Sequence, residues 1–138
     1  MLDRRYLKGS LLLGLALLLA GCSSPSLVSI AITPTAQYFS ASPGLSAQFT
    51  AIGTFDHGNH PKTTQDITNE VTWKSSATAI ATISSTGVVS VTGQAIGTSN
   101  ITASMNGFTG LVVANATANV CAPGQTVTST GCTTPSTP

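Results

Sequence analysis

Charge is what this chain has least of: four acidic and five basic residues make up 7% of its 138 positions, where an average soluble domain carries about 25%. Without a cluster of Lys and Arg to meet phosphates, nucleic acid is excluded as a partner. Histidine is almost missing, with only His57 and His60, both in one segment. No Cys-x-x-Cys, His-Glu-x-x-His, Ser-x-x-Lys, phosphate loop or Gly-x-Gly-x-x-Gly occurs. The nearest approach to a nucleophile elbow, Gly44-Leu45-Ser46-Ala47-Gln48, fails at Gln48 and lies in an alternating segment rather than at a strand-to-helix turn. No stretch after the first 21 residues has the 3.6-residue apolar spacing of an amphipathic helix. These gaps predict no catalytic residue, no cofactor and no enzyme.

What is present begins with an export signal. Arg4, Arg5 and Lys8 precede an apolar run from Leu11 to Ala20, too short for the roughly 20 residues that cross a bilayer, so residues 1–21 read as a signal peptide. The end of that run, Leu19-Ala20-Gly21-Cys22, resembles the lipobox of bacterial lipoproteins, in which the cysteine thiol is diacylated and the chain is cut before it. The resemblance implies lipid on Cys22 and attachment to the bacterial cell membrane. Ser23 resembles the residue that permits sorting to the outer membrane where an envelope has two. The arginine pair loosely resembles a twin-arginine signal, but Lys8 stands where that motif expects an apolar residue, which favours ordinary Sec export.

Without residues 1–21 the chain keeps 117 residues, enough for one domain. Lys62 and Lys74 then face Asp56, Asp66 and Glu70, a formal charge of −1. With Cys22 assigned to lipid, Cys121 and Cys132 remain as a pair, and outside the cytoplasm such thiols oxidise to a disulfide. A metal-thiolate site would need further ligands nearby, and none is close in sequence. The expected organisation is a tether over 22–26, a folded domain over 27–120, and over 121–138 a disulfide loop with a disordered Thr/Pro-rich end. A tether of a few residues, at most about 3.5 Å each, keeps the domain close to the lipid.

From residue 27 the apolar residues alternate with period two, the mark of strands with one buried face. Val28, Ile30 and Ile32 share a face. So do Leu45, Ala47, Phe49, Ala51, Gly53 and Phe55, and then Val71, Trp73 and Ser75. The segment from Phe55 to Asp66 has turn residues and no period, so it reads as a loop. Two short strands meet through Gly87, and Asn106-Gly107 between two β-prone runs predicts a hairpin turn. About seven short strands make the fold class all-β, a two-sheet β-sandwich with Trp73, Phe49, Val71 and Ile101 in its core.

The motifs that follow one another here are Ile30-x-x-Thr33-Pro34, Gly44-x-x-x-Gln48-Phe49-x-Ala51, Asp66-x-Thr68-x-x-Val71-x-Trp73-x-Ser75-Ser76, Ile80-Ala81-x-Ile83-x-x-x-Gly87-x-Val89, and Gly97-x-x-x-Ile101-Thr102-Ala103. In that order they resemble the bacterial Ig-like domain of group 2, over residues 27 to 120. The resemblance implies an immunoglobulin-like sandwich and a non-enzymatic role at the cell surface, either as an adhesion or binding module or as a spacer without a ligand. Asp66 falls on the family's Asp-x-Thr position and Glu70 just precedes a strand, so turn stabilisation outweighs acid–base work for this pair. Two features remain as candidates for a protein or glycan ligand. Tyr38 is an aromatic that could stack on a sugar ring. Asp56, His57 and His60 share the polar loop; as a metal site they lack a third firm ligand at a recognised spacing, so no metal is expected.

Overall fold

The computed structural model describes residues 24–107 and 109–135. Cys22, the lipobox and the signal peptide lie outside the described residues. Twelve strands and no helix are present among them: β1 (Ser26–Thr33), β2 (Ala36–Phe39), β3 (Ser46–Gln48), β4 (Thr50–Asp56), β5 (Thr63–Asp66), β6 (Thr72–Ser75), β7 (Ala81–Ile83), β8 (Val88–Val91), β9 (Gly97–Gly107), β10 (Gly110–Val120), β11 (Thr126–Thr128) and β12 (Gly131–Thr133). They form sheets ordered β1-β4-β5, β3-β8-β7, β2-β10-β9-β6 and β11-β12.

One core joins the first three sheets. Ala103, Ile101, Trp73, Ala116, Ala118, Val120 and Phe39 come from the four-stranded sheet, and Leu27, Ile32, Ala51, Ala81, Val89 and Val91 from the two three-stranded ones. The period-two pattern explains this directly, because alternate residues of each strand point to one side. Phe49 and Ile101 are fully buried and Val71 nearly so. Phe49 is also the residue at which one alternating run passes from one sheet to another: β3 pairs with β8, and β4 pairs with β1 and β5.

The Asp-x-Thr-x-x-Val-x-Trp segment holds the core together by hydrogen bonds. Trp73 Nε1 donates to the carbonyl of Thr68 at 2.8 Å, the N–H of Ala51 donates to Thr68 Oγ1 at 2.9 Å, and the N–H of Thr68 donates to Asp66 Oδ1 at 2.9 Å. Burying Thr68 costs nothing extra because each of these groups finds a partner. The serines after Trp73 work the same way. Ser75 Oγ donates to the carbonyl of Ala81 and lies 2.8 Å from Ser99 Oγ, while Ser76 Oγ accepts from the N–H of Asn100. Gly87, at φ +80°, lets the chain turn against Phe49, whose carbonyl would stand 2.3 Å from any Cβ there.

Several local expectations need correction. Val28 does not share the inward face with Ile30 and Ile32; a bulge between Leu27 and Ser29 resets the alternation, burying Leu27 and leaving Val28 exposed. Leu45 precedes β3 and is exposed as well. Residues 63–66 of the expected loop form β5, an edge strand exposed along its whole length, so no buried face imposes a period on its sequence. The hairpin does not turn at Asn106-Gly107. Asn106 pairs with Leu111 and Gly107 with Gly110, so both residues belong to the ladder and the strands are joined beyond Gly107. Gly107 is needed there for a close approach, because a Cβ would lie 2.5 Å from the carbonyl of Leu27. The expected Cys121–Cys132 disulfide is present, but the loop it closes is not irregular: β11 and β12 pair there as a hairpin.

The strand count differs from seven for the same reasons. β3 with β4 is a single run in the sequence, divided where the chain changes sheets; β2 follows the run that ends at Pro34, and β5, β11 and β12 carry no period.

Candidate functional site

The register places Tyr38 and the His loop at opposite ends of the sandwich. β1 runs antiparallel to β4 with Ser26 opposite Asp56, so the entry of the chain and the 57–62 loop share one end. β2 continues from β1 and pairs in parallel with the last residues of β10, Tyr38 opposite Asn119 and Phe39 opposite Val120. The candidate set of Tyr38, Asp56, His57 and His60 is therefore not one site.

At the loop end, Asp56 Oδ1 accepts from the N–H of Gly58 at 2.7 Å and Oδ2 lies 3.8 Å from Lys62 Nζ. His57 Nε2 is 2.7 Å from Thr63 Oγ1. His60 is exposed. Among the described residues, no three His, Cys, Asp or Glu side chains gather as a metal ion would require. The contacts that are present tie the loop to itself, as expected for a short turn whose Asp accepts from a backbone N–H two residues on.

The far end is differently built. Adjacent residues of β2 point to opposite sides, so Phe39 enters the core and Tyr38 stays half-buried at the surface. An open groove of about 290 Å³ lies beside it, lined further by Ile96, Thr98, Asn119, Gln125 and Cys132. The Cys121–Cys132 bond holds the β11–β12 hairpin against this end, since Cys121 directly follows β10 and is buried. Thr98 Oγ1 donates to Asn119 Oδ1 at 2.7 Å, and Asn119 Nδ2 donates to Thr117 Oγ1 at 3.1 Å, so the Asn119 side chain is fixed across the strands. Gln125 Oε1 accepts from the N–H of Ala122 at 2.8 Å, which leaves its NH₂ as the remaining donor group. The lining holds an aromatic face, a branched apolar side chain, a hydroxyl and amides, and no formal charge.

The sequence singles out Tyr38 and the Cys121–Cys132 pair but not Ile96, Thr98, Asn119 or Gln125. Nothing local signals that Tyr38 will stand opposite Asn119, because the pairing joins the two ends of the domain; the cysteine pair was the one available sign that residues after 121 return to the fold.

Asp66 lies elsewhere, in the turn segment that carries Thr68. The hydroxyl and backbone N–H of Thr68 stabilise its carboxylate and lower its pKa below the usual 3.8. An acid held in its ionised form by local donors is suited to securing a turn rather than to giving up a proton near neutrality.

The model of the bacterial Ig-like domain (group 2) matches residues 28–115 of the chain. A protein of Shewanella frigidimarina (strain NCIMB 400) named Ice-binding protein 1 is 44% identical over 80 residues, a match that covers 58% of this chain and 8% of that protein. The chain thus spans a small part of the relative's length.

Proposed function

This chain belongs to the bacterial Ig-like domain family, group 2, and from that premise we propose that it is an exported, lipid-anchored envelope protein whose single sandwich binds an uncharged ligand, a glycan unit, in the groove beside Tyr38. The observation that carries the reading is the placement of that groove. It lies at the end of β10 opposite the chain's entry, about nine residues of strand away at roughly 3.4 Å each, so on the order of 30 Å from the membrane-proximal end. The tether from Cys22 is short, but the length of the domain itself carries the groove clear of the lipid.

The chemistry of the lining supports a sugar. Tyr38 offers a face for stacking on the apolar side of a ring, and Thr98, Gln125 and the backbone around them offer hydroxyl and amide partners. A volume near 290 Å³ suits one ring rather than a long chain. Lipid on Cys22 rests on the lipobox resemblance, with export through the preceding signal.

A second reading, a spacer with no ligand, has its own support: the matched relative shares an Ig-like segment that is 8% of its length. The ice in that relative's name is said of that protein and is not carried over to this chain.

The test is binding of the mature chain to a glycan array and to purified peptidoglycan. Saturable binding that weakens at least about tenfold, 1.4 kcal/mol, in Tyr38→Ala with melting unchanged supports the groove. Silence from a folded chain supports the spacer, and binding indifferent to Tyr38 puts the ligand outside the groove and overturns this assignment.

A further inference from the structure

The end of the sandwich opposite the groove has an unusual surface for a chain so rich in hydroxyls. Along the outer face of β10, Leu111 is 64% and Val113 47% exposed, and the same face continues as Asn115, Thr117 and Asn119 toward the groove. One face of one strand thus changes from apolar to polar along its length. Val28, exposed by the bulge in β1, adds to the apolar end, where β1 lies alongside β10. At the same end an open recess of about 260 Å³ is lined by Leu27, Phe55, Met105 and Gly107.

This is also the end from which the tether leaves. Ser24, Pro25 and Ser26 line the recess themselves, and Cys22 stands two positions earlier. From Cys22 to Leu27 the chain can reach at most about 18 Å at 3.5 Å per residue. An acylated Cys22 therefore holds this end within reach of the headgroups. The formal charges of the neighbouring loop, Asp56 and Lys62, face each other at 3.8 Å and offset one another. An apolar edge next to a lipid tether, with its nearby charges paired, matches the surface of a bilayer.

We propose that the Leu111–Val113 edge of the β9–β10 hairpin rests in the lipid surface beside Cys22, so that the domain stands with β10 pointing away from the membrane and the Tyr38 groove facing outward. The inference rests on the anchoring proposed above.

The experiment uses the full chain, expressed in a bacterium, purified from membranes and reconstituted in vesicles of phosphatidylethanolamine and phosphatidylglycerol. Mass spectrometry reads lipid on Cys22. Thr109→Cys at the hairpin tip and Asn119→Cys at the far end are each labelled with an environment-sensitive fluorophore, and nitroxide-bearing lipids are added as quenchers. Both substitutions leave Leu111 and Val113 in place. The expected result is loss of most fluorescence at position 109 and none at position 119, with the loss at 109 clearly reduced by Leu111→Ser combined with Val113→Ser; quenching at 109 unchanged in that variant overturns the role of the edge. Equal quenching at the two positions on a lipidated chain overturns the orientation alone. A chain without lipid on Cys22 overturns the anchoring and the orientation with it. Self-quenching at position 109 that ignores the nitroxide lipids assigns the edge to a second copy of the chain and likewise overturns the proposal.

Discussion

Replacing Trp73 by Phe tests how the core is held. The indole is 9% exposed and its N–H donates to the carbonyl of Thr68 at 2.8 Å, while the rest of Thr68 is committed to Asp66 and Ala51. Phe keeps an aromatic ring in the same place but has no donor. The buried Thr68 carbonyl is then unpaired, which costs about 1–3 kcal/mol, and the lost second ring removes apolar contact worth about 1 kcal/mol. The expected destabilisation is about 2–4 kcal/mol, most of the 3–5 kcal/mol that Trp73→Ala is expected to cost. Guanidinium unfolding of the mature chain reads it, followed by far-UV circular dichroism because the variant has no tryptophan to report. The midpoint should fall with the slope unchanged. A Phe variant within about 0.5 kcal/mol of the wild type, the range of ordinary surface substitutions, would refute the claim that the indole hydrogen bond fixes this segment.

Gly87→Ala forces a Cβ to 2.3 Å from the carbonyl of Phe49 at a φ of +80°, so it should lower stability by about 2 kcal/mol or more in the same denaturation, and an unchanged midpoint would contradict the close approach. Asp66 has its folded pKa lowered by Thr68, so its contribution to stability is complete above its unfolded pKa and disappears as pH falls through the lower folded value. Asp66→Asn should therefore melt below the wild type at neutral pH and approach it in acid; parallel curves across that range would dismiss the interaction. Cys132→Ser should loosen the β11–β12 hairpin, raising amide exchange over residues 122–133 while Trp73 fluorescence stays native, because the hairpin lies outside the main core. Exchange as slow as in the wild type would mean that the hairpin does not need the disulfide.

The residues that build the core were legible because burial enforces a period. Phe49, Val71, Trp73 and Ile101 stand where alternation puts them, and Ser75 and Ser76 serve the backbone as their place after a strand suggests. Where a strand has no buried face, as in β5, or where a bulge shifts the phase, as at Val28, the same rule has nothing to act on or gives the wrong face. The hairpin turn shows a different failure. Asn106-Gly107 has the composition of a turn, yet Gly107 is required by a carbonyl from another strand, a demand that only the assembled fold makes. The groove was half legible. Tyr38 could be noticed as an aromatic near a turn, but its neighbours are brought to it by a parallel pairing between the second strand and the tenth, and by a disulfide that folds the tail back.

The continuity of β1 into β2 has a mechanical meaning if the chain is held at one end by lipid and at the other by a ligand. A pull between the two would enter near Tyr38, travel back along β2 and β1, and leave through Ser24, nearly along the strands. Both points lie on one continuous length of backbone, so its covalent bonds would carry the tension, while the rungs from β1 to β4 and from β2 to β10 keep that length seated in the sheets. A load applied in that direction would bypass most of the hydrogen bonds that hold the rest of the sandwich together.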